Sequence, residues 1–251
     1  MVEMQPTFHQ SGSERAEPAP TRRGRFAWWS VVVAVWFTLI VWCIWRVPIA
    51  RQSARQQLCE CNLRLIWLAL RSYADFNGCY PAVRTLDDHG RALQSWRVIL
   101  MPYLGSYSFA EHYTLPEPWN SPTNRMWTDL KISRFVCPCS RRTGTNFTNY
   151  VAVVGPETVW GADQPTNPDE ITNVEAIFVV EYPDSDIPWG EPRDLTEEEF
   201  LAMLEERWAR KDFGPHPRGL LYVTVSSEIR AIGSNTSVEM LRRLLRARTP
   251  K

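Results

Sequence analysis

The longest hydrophobic stretch in the chain is FAWWSVVVAVWFTLIVWCIW, Phe26–Trp45, which carries no charge and lies between Arg25 and Arg46. At about 1.5 Å rise per residue it spans roughly 30 Å, the thickness of a bilayer's hydrocarbon core. A buried core helix normally keeps a polar face, and a cleaved secretory signal is shorter and ends at small residues. Neither pattern occurs here, so the run predicts one uncleaved transmembrane helix. Residues 1–25 are rich in Pro, Ser, Glu and Arg and have too few apolar positions to offset ordering entropy, which predicts a disordered cytoplasmic tail.

Beyond the span, Pro48 predicts a kink or short break. Apolar positions then return at steps of three and four, through Leu58, Asn62, Leu65, Ile66, Ala69, Tyr73 and Phe76. This second helix stops at Asn77-Gly78, with Pro81 just beyond. Leu93–Tyr103 reads as a short helix. Three β-branched, apolar runs read as strands: Asn149–Val154, Glu175–Glu181 and Leu220–Val225. Thr196-Glu-Glu-Glu199 is a capping box for a helix presenting Phe200, Leu201, Leu204 and Trp208, closed by Gly214-Pro215. Leu220–Val225 and Glu228–Ile232 form an expected hairpin around Ser226-Ser227. Ser237 then caps a last basic helix within 237–251. The class predicted is α+β, with the long N-terminal helix continuing into a domain over 46–236 that contains an antiparallel sheet.

Composition narrows the function. The chain has 251 residues, of which roughly 200 remain for one cored domain after tail and span. Formal net charge is zero, so no basic footprint for nucleic acid exists. Flanking arginines balance across the span (Arg15, Arg22, Arg23 and Arg25 against Arg46, Arg51, Arg55 and Arg64), so charge does not set the orientation. Cysteine usage does point one way: Cys59, Cys61, Cys79, Cys137 and Cys139 suit an oxidising compartment, hence an extracytoplasmic domain on a single-pass inner-membrane anchor. The bilayer, through Phe26 to Trp45, is the expected partner, with homo-oligomers or envelope proteins as further ones.

Catalytic motifs are absent: no G-x-S-x-G, H-E-x-x-H, P-loop or G-x-G-x-x-G occurs. His9, His89, His112 and His216 are scattered, and His216, between Pro215 and Pro217, reads as a hydrogen-bonded turn residue. No enzyme activity and no cofactor are expected. Carboxylates such as Glu181 with Asp184, and Glu191 with Asp194, lie in Pro-Trp-rich loops. Trp119, Trp160, Trp189 and Glu191 are therefore candidates for a sugar-stacking or solute-binding groove, although packing on the sheet is the plainer reading. C-x-C with a second C-x-C raises a four-thiolate zinc site. Residues i and i+2 of a helix lie about 200° apart, so Cys59 and Cys61 cannot face one ion, and the spacing is not C-x₂₋₄-C. No metal is expected, and the cysteines remain candidates for disulfides or free thiols.

Six ordered blocks carry a family resemblance: CNLRLIWLALRSYADFNGCYP, GRALQSWRVILMPYL, EPWNSP, FVCPCS, TNYVAVVGP and IPWGEPRDL. Together, over roughly Arg51 to Ile232, they resemble the domain of unknown function 1559 family, a set of pilin-like proteins expanded in planctomycete bacteria. The resemblance implies a type IV pilin-like architecture, a long helix laid on an antiparallel sheet, export, and an undefined biochemical role. Two departures stand out. Phe37-Thr38-Leu39-Ile40 is flanked by Trp36 and Val41, where the family's processing signal has Gly and Glu. The family's His-x₉-Asp-Gly motif keeps His216 but has Ser226-Ser227 in place of Asp-Gly, so a two-residue type I′ turn is not expected. Cys59 and Cys137 match family cysteines, whereas Cys61 and Cys139 are additions within the same two blocks. That coincidence implies that the two blocks touch, with Cys61–Cys139 or Cys59–Cys137 as disulfide candidates.

Overall fold

Two compact units divide the chain at residue 50. The structure is a computed structural model that describes residues 22–140, 146–161 and 163–248. Most of the expected tail, residues 1–21, lies outside the described residues. One helix, α1, is assigned over Arg22–Asn77 and includes Pro48, where a break was expected. Within the first unit, α1 exposes Trp28, Trp29, Val33, Trp36, Phe37, Ile44 and Trp45. None of the residues in its most apolar window is buried.

The second unit follows α1 with β1 (Arg84–Leu86), β2 (Ala92–Ser95), α2 (Trp96–Ile99), α3 (Tyr107–His112) and α4 (Pro122–Thr128). Then come β3 (Tyr150–Val151), β4 (Val153–Val154), β5 (Ile177–Glu181), β6 (Leu195–Thr196) and α5 (Glu197–Ala209). β7 (Leu220–Thr224), β8 (Ile229–Ile232) and α6 (Val238–Leu245) complete it. The central sheet has the order β3-β5-β7-β8 and is antiparallel throughout. β1 and β2 form a separate antiparallel pair, and β4 with β6 a short parallel one. The class is α+β, as the sequence predicts.

Period-two alternation explains the layering. On β7, Leu221 and Val223 face one core together with Cys59, Leu63, Ile66 and Leu70 of α1. Leu220 and Tyr222 face a second core built with Phe200 and Leu204 of α5 and Leu241, Leu244 and Leu245 of α6. The sheet is thus covered on both sides, which is why β5 and β7 read as continuous apolar runs.

Four local outcomes differ from the sequence reading. The buried stripe of α1 is Cys59, Leu63, Ile66, Ala69, Leu70 and Ala74: Ile66 and Ala69 lie on it as predicted, but Cys59, Leu63 and Ala74 take the places expected of Leu58, Asn62 and Tyr73, one position earlier, and Leu58 and Phe76 are exposed. Apolar residues on several faces make the periodicity ambiguous there. Leu93–Ser95 belongs to a strand, and the helix predicted from Leu93 starts only at Trp96, where the Ser95 side chain accepts from the Arg97 N–H. Asn149–Val154 is split between two sheets. Finally, α5 ends at Ala209, before Gly214, with Lys211 in a left-handed conformation just after it. The capping box at Thr196 and Glu199 and the Ser237 cap form as expected. The turn at Ser226-Ser227 is longer than two residues: it spans Val225 to Glu228, with Ser227 at φ +72°.

Candidate functional site

Three chain segments meet at the end of the sheet where β3 and β7 begin and β5 finishes. α1 contributes Cys59 from its buried stripe. The segment before β3 contributes Cys137 and Cys139 around Pro138, and the loop before β7 contributes His216. Asn149 fixes the second segment: its Oδ1 accepts from the Cys137 N–H at 2.9 Å, and its amide donates to the carbonyls of Tyr182 and Pro183. Glu181, the last residue of β5, is cross-strand from Tyr150 and accepts from the Leu221 N–H at 2.9 Å.

The thiol and imidazole atoms of Cys59, Cys137, Cys139 and His216 all lie within 4.8 Å of one another. Cys59 Sγ and Cys137 Sγ are 2.7 Å apart, and Cys137 Sγ is 3.6 Å from His216 Nε2. The same Nε2 lies 3.0 Å from Glu181 Oε1. Cys59, Cys137, His216 and Glu181 are buried, and Cys139 is half-buried. His216 Nδ1 is buried without a hydrogen-bond partner.

This arrangement separates the ionisations. The hydrogen bond from Cys137 outweighs burial and, with help from His216, lowers the Cys59 thiol to about 6. Cys137 moves up because it is the partner in that bond and because it is buried. Burial, with Cys59 nearby, pushes Cys139 up to about 12. At His216, burial opposes protonation, but hydrogen bonding to Cys59 and Glu181 overcomes it and lifts the imidazole to about 9. The cluster thus favours a thiolate at Cys59 beside an imidazolium. Cys137 and Glu181 both meet the same imidazole nitrogen, Nε2, while Nδ1 has no partner, so the group lacks the two-nitrogen relay of a nucleophile, base and orienting acid; Cys59 has no solvent exposure.

Cys61 is exposed and stands outside the group, as the helical offset from Cys59 requires. Cys137 and Cys139 are not helical, so the offset that separates Cys59 from Cys61 does not separate them. His216, scattered in sequence from any other histidine, supplies a fourth donor. The two family-type blocks signalled the meeting of the cysteines; His216 was marked only as the retained histidine of the family motif, where it read as a hydrogen-bonded turn residue.

The other candidates are placed differently. Trp160 is buried, donates to the Phe178 carbonyl at 2.5 Å and packs on Trp96 and Phe178. Trp189 is buried between Phe109 and Phe135 and donates to the Leu130 carbonyl. Neither indole therefore offers a face to solvent, whereas Trp119 and Glu191 are half-buried. Asp194 is buried with Arg97 in an ion pair that the sequence reading did not identify.

Comparison with known proteins agrees with the blocks quoted above. The sequence profile of a family described as "Protein of unknown function (DUF1559)" matches residues 49–194, more than half of the chain. No curated protein and no solved structure gives a significant match. The chain belongs to the family described as "Protein of unknown function (DUF1559)".

Proposed function

We propose that this protein is a membrane-anchored structural or assembly protein of the cell envelope, pilin- or pseudopilin-like, with its domain held outside the cytoplasm. One observation carries the reading. The N-terminal part of α1 is apolar on every face, and no residue of its most apolar window is buried, with Trp28 at 70% and Trp45 at 73% exposure. Such a surface is far larger than water tolerates on a soluble protein, and its length suits a bilayer. Its ends carry Trp28, Trp29, Trp42 and Trp45, the residue type favoured at the lipid–water boundary.

The domain's features support a packing role over a catalytic one. Its buried acids are engaged, Asp194 in an ion pair with Arg97 and Glu181 with His216. On α1, Leu58 and Phe76 stay exposed and lie in line five helical turns apart, a surface suited to packing against envelope partners or further copies. Burial of Trp160 and Trp189 removes two of the three aromatics that a glycan-binding reading would use.

Topology is tested by expressing the full chain and labelling Cys61, which is exposed, with a membrane-impermeant maleimide in intact spheroplasts. The expected result is labelling without lysis and retention of the chain in carbonate-washed membranes. Release of the protein into the soluble fraction, or labelling only after lysis, would overturn the reading.

A further inference from the structure

Four soft donors from three distant segments converge in one buried place. Cys59 and Cys137 are 78 residues apart in sequence, and Cys137 and His216 are 79 apart. We propose that Cys59, Cys137, Cys139 and His216 form a structural site for a soft divalent cation, zinc. The proposal is independent of the topology argued above, because it rests on donor geometry within the domain.

Zinc fits the donor chemistry. Three thiolates and one imidazole are a usual structural set, and sulfur donors select against magnesium and calcium. A tetrahedral ion with Zn–S of about 2.3 Å holds its sulfurs roughly 3.8 Å apart. The Cys137 Sγ to His216 Nε2 distance of 3.6 Å already suits that polyhedron, and all four donors lie within 4.8 Å. Loading requires local adjustment: Cys59 and Cys137 must part by about 1 Å from their present 2.7 Å, and donors as far apart as 4.8 Å must close.

The surroundings supply what an ion needs. The Cys137 segment is held by Asn149, so two sulfurs are positioned before any ion arrives. Cys139 also lines an open depression of about 360 Å³ with Arg55, Lys131, Ser133 and Ser140, which provides an entry path. On binding, the ion takes the place of the proton that Nε2 shares with Glu181, and the thiol protons are released to solvent. Glu181 keeps its bond from the Leu221 N–H. The bound ion would staple α1 to the segment before β3 and to the loop before β7.

The test uses the full-length protein, extracted in detergent under anaerobic, chelator-free conditions. Mass-spectrometric metal analysis should find one zinc per chain. Cobalt(II) added to the reduced, metal-stripped protein should give thiolate-to-cobalt charge transfer and the intense visible bands of a tetrahedral site. Cys139→Ser and His216→Ala should each weaken zinc binding by more than the roughly 10–100-fold that outer-shell changes cost. Cys61→Ser should leave it unchanged. A Cys59–Cys137 disulfide in metal-free protein so isolated would overturn the proposal, and so would a six-coordinate cobalt spectrum. The cobalt spectrum of the unmodified chain decides the matter even if a variant fails to fold.

Discussion

Replacing Asp194 by Ala is expected to destabilise the domain severely, because three hydrogen-bond donors lose their acceptor inside a dry core. Asp194 and Arg97 have 1% and 0% side-chain exposure and form an ion pair. Asp194 Oδ1 also accepts from the Ala152 N–H at 2.7 Å, and Oδ2 from the Trp96 indole N–H at 3.1 Å. The Arg97 guanidinium lies 4.8 Å from the Trp96 ring centroid, and its other bonds run to the Tyr150 carbonyl and the Ser95 hydroxyl. The carboxylate of Asp194, just before β6, therefore ties α2 to the residue preceding β4, and Arg97 extends the network to β3. Breaking a buried pair by removing one partner costs about 3–5 kcal/mol, since a charge is left uncompensated. For a domain of roughly 200 residues, that corresponds to a fall in Tm of roughly 6–20 °C. The cost is also a large share of the ~5–15 kcal/mol available to a typical domain.

The assay is urea and thermal unfolding of the full chain in detergent micelles, followed by tryptophan fluorescence. Asp194→Asn should be milder, because its amide oxygen still accepts from Ala152 and Arg97 while its NH₂ opposes the Trp96 N–H. The double change Arg97→Met with Asp194→Leu should cost much less than the two single changes summed, since no buried charge is then left alone. An Asp194→Ala variant within about 1 kcal/mol of the parent would refute the reasoning.

The helix register can be checked in the same assay. Leu63→Ala, at a position with no exposure, should cost about 2–5 kcal/mol, whereas Leu58→Ala, at 54% exposure, should stay within about 0.5 kcal/mol; equal effects would contradict the observed face. Gly219 has φ +113°, and a Cβ there would lie 2.0 Å from the Ile232 carbonyl oxygen. Gly219→Ala should therefore destabilise by about 2 kcal/mol or more, measured as a shift of the unfolding midpoint, and a neutral result would mean that β8 yields easily.

The sequence alone determined those features whose physics is local. An uncharged twenty-residue run can be a candidate bilayer span wherever it sits. The Thr196–Glu199 box and the Ser237 cap are completed within a single helical turn, and Gly78 at φ +75° ends α1 where Asn-Gly predicted. β5 and β7 were legible because strands covered on both faces need apolar residues at nearly every position. The absence of Asp-Gly was likewise informative, since the turn became longer and put Ser227 at positive φ.

Tertiary structure decided what depends on distant partners. The register of α1 was undecidable from its own residues, as Leu58 and Leu63 are equally apolar and only the sheet selects between them. The switch at Leu93–Ser95 from helix to strand follows from pairing with Arg84–Leu86, which outweighs local preference. Trp160 and Trp189 became core residues because backbone carbonyls in other segments accept their indole N–H groups. The meeting of the two cysteine blocks could be anticipated, but its membership could not. Helical offset excluded Cys61 in advance, whereas the entry of His216 and Glu181 required the pairing of β5 with β7 to bring both to the same end of the sheet.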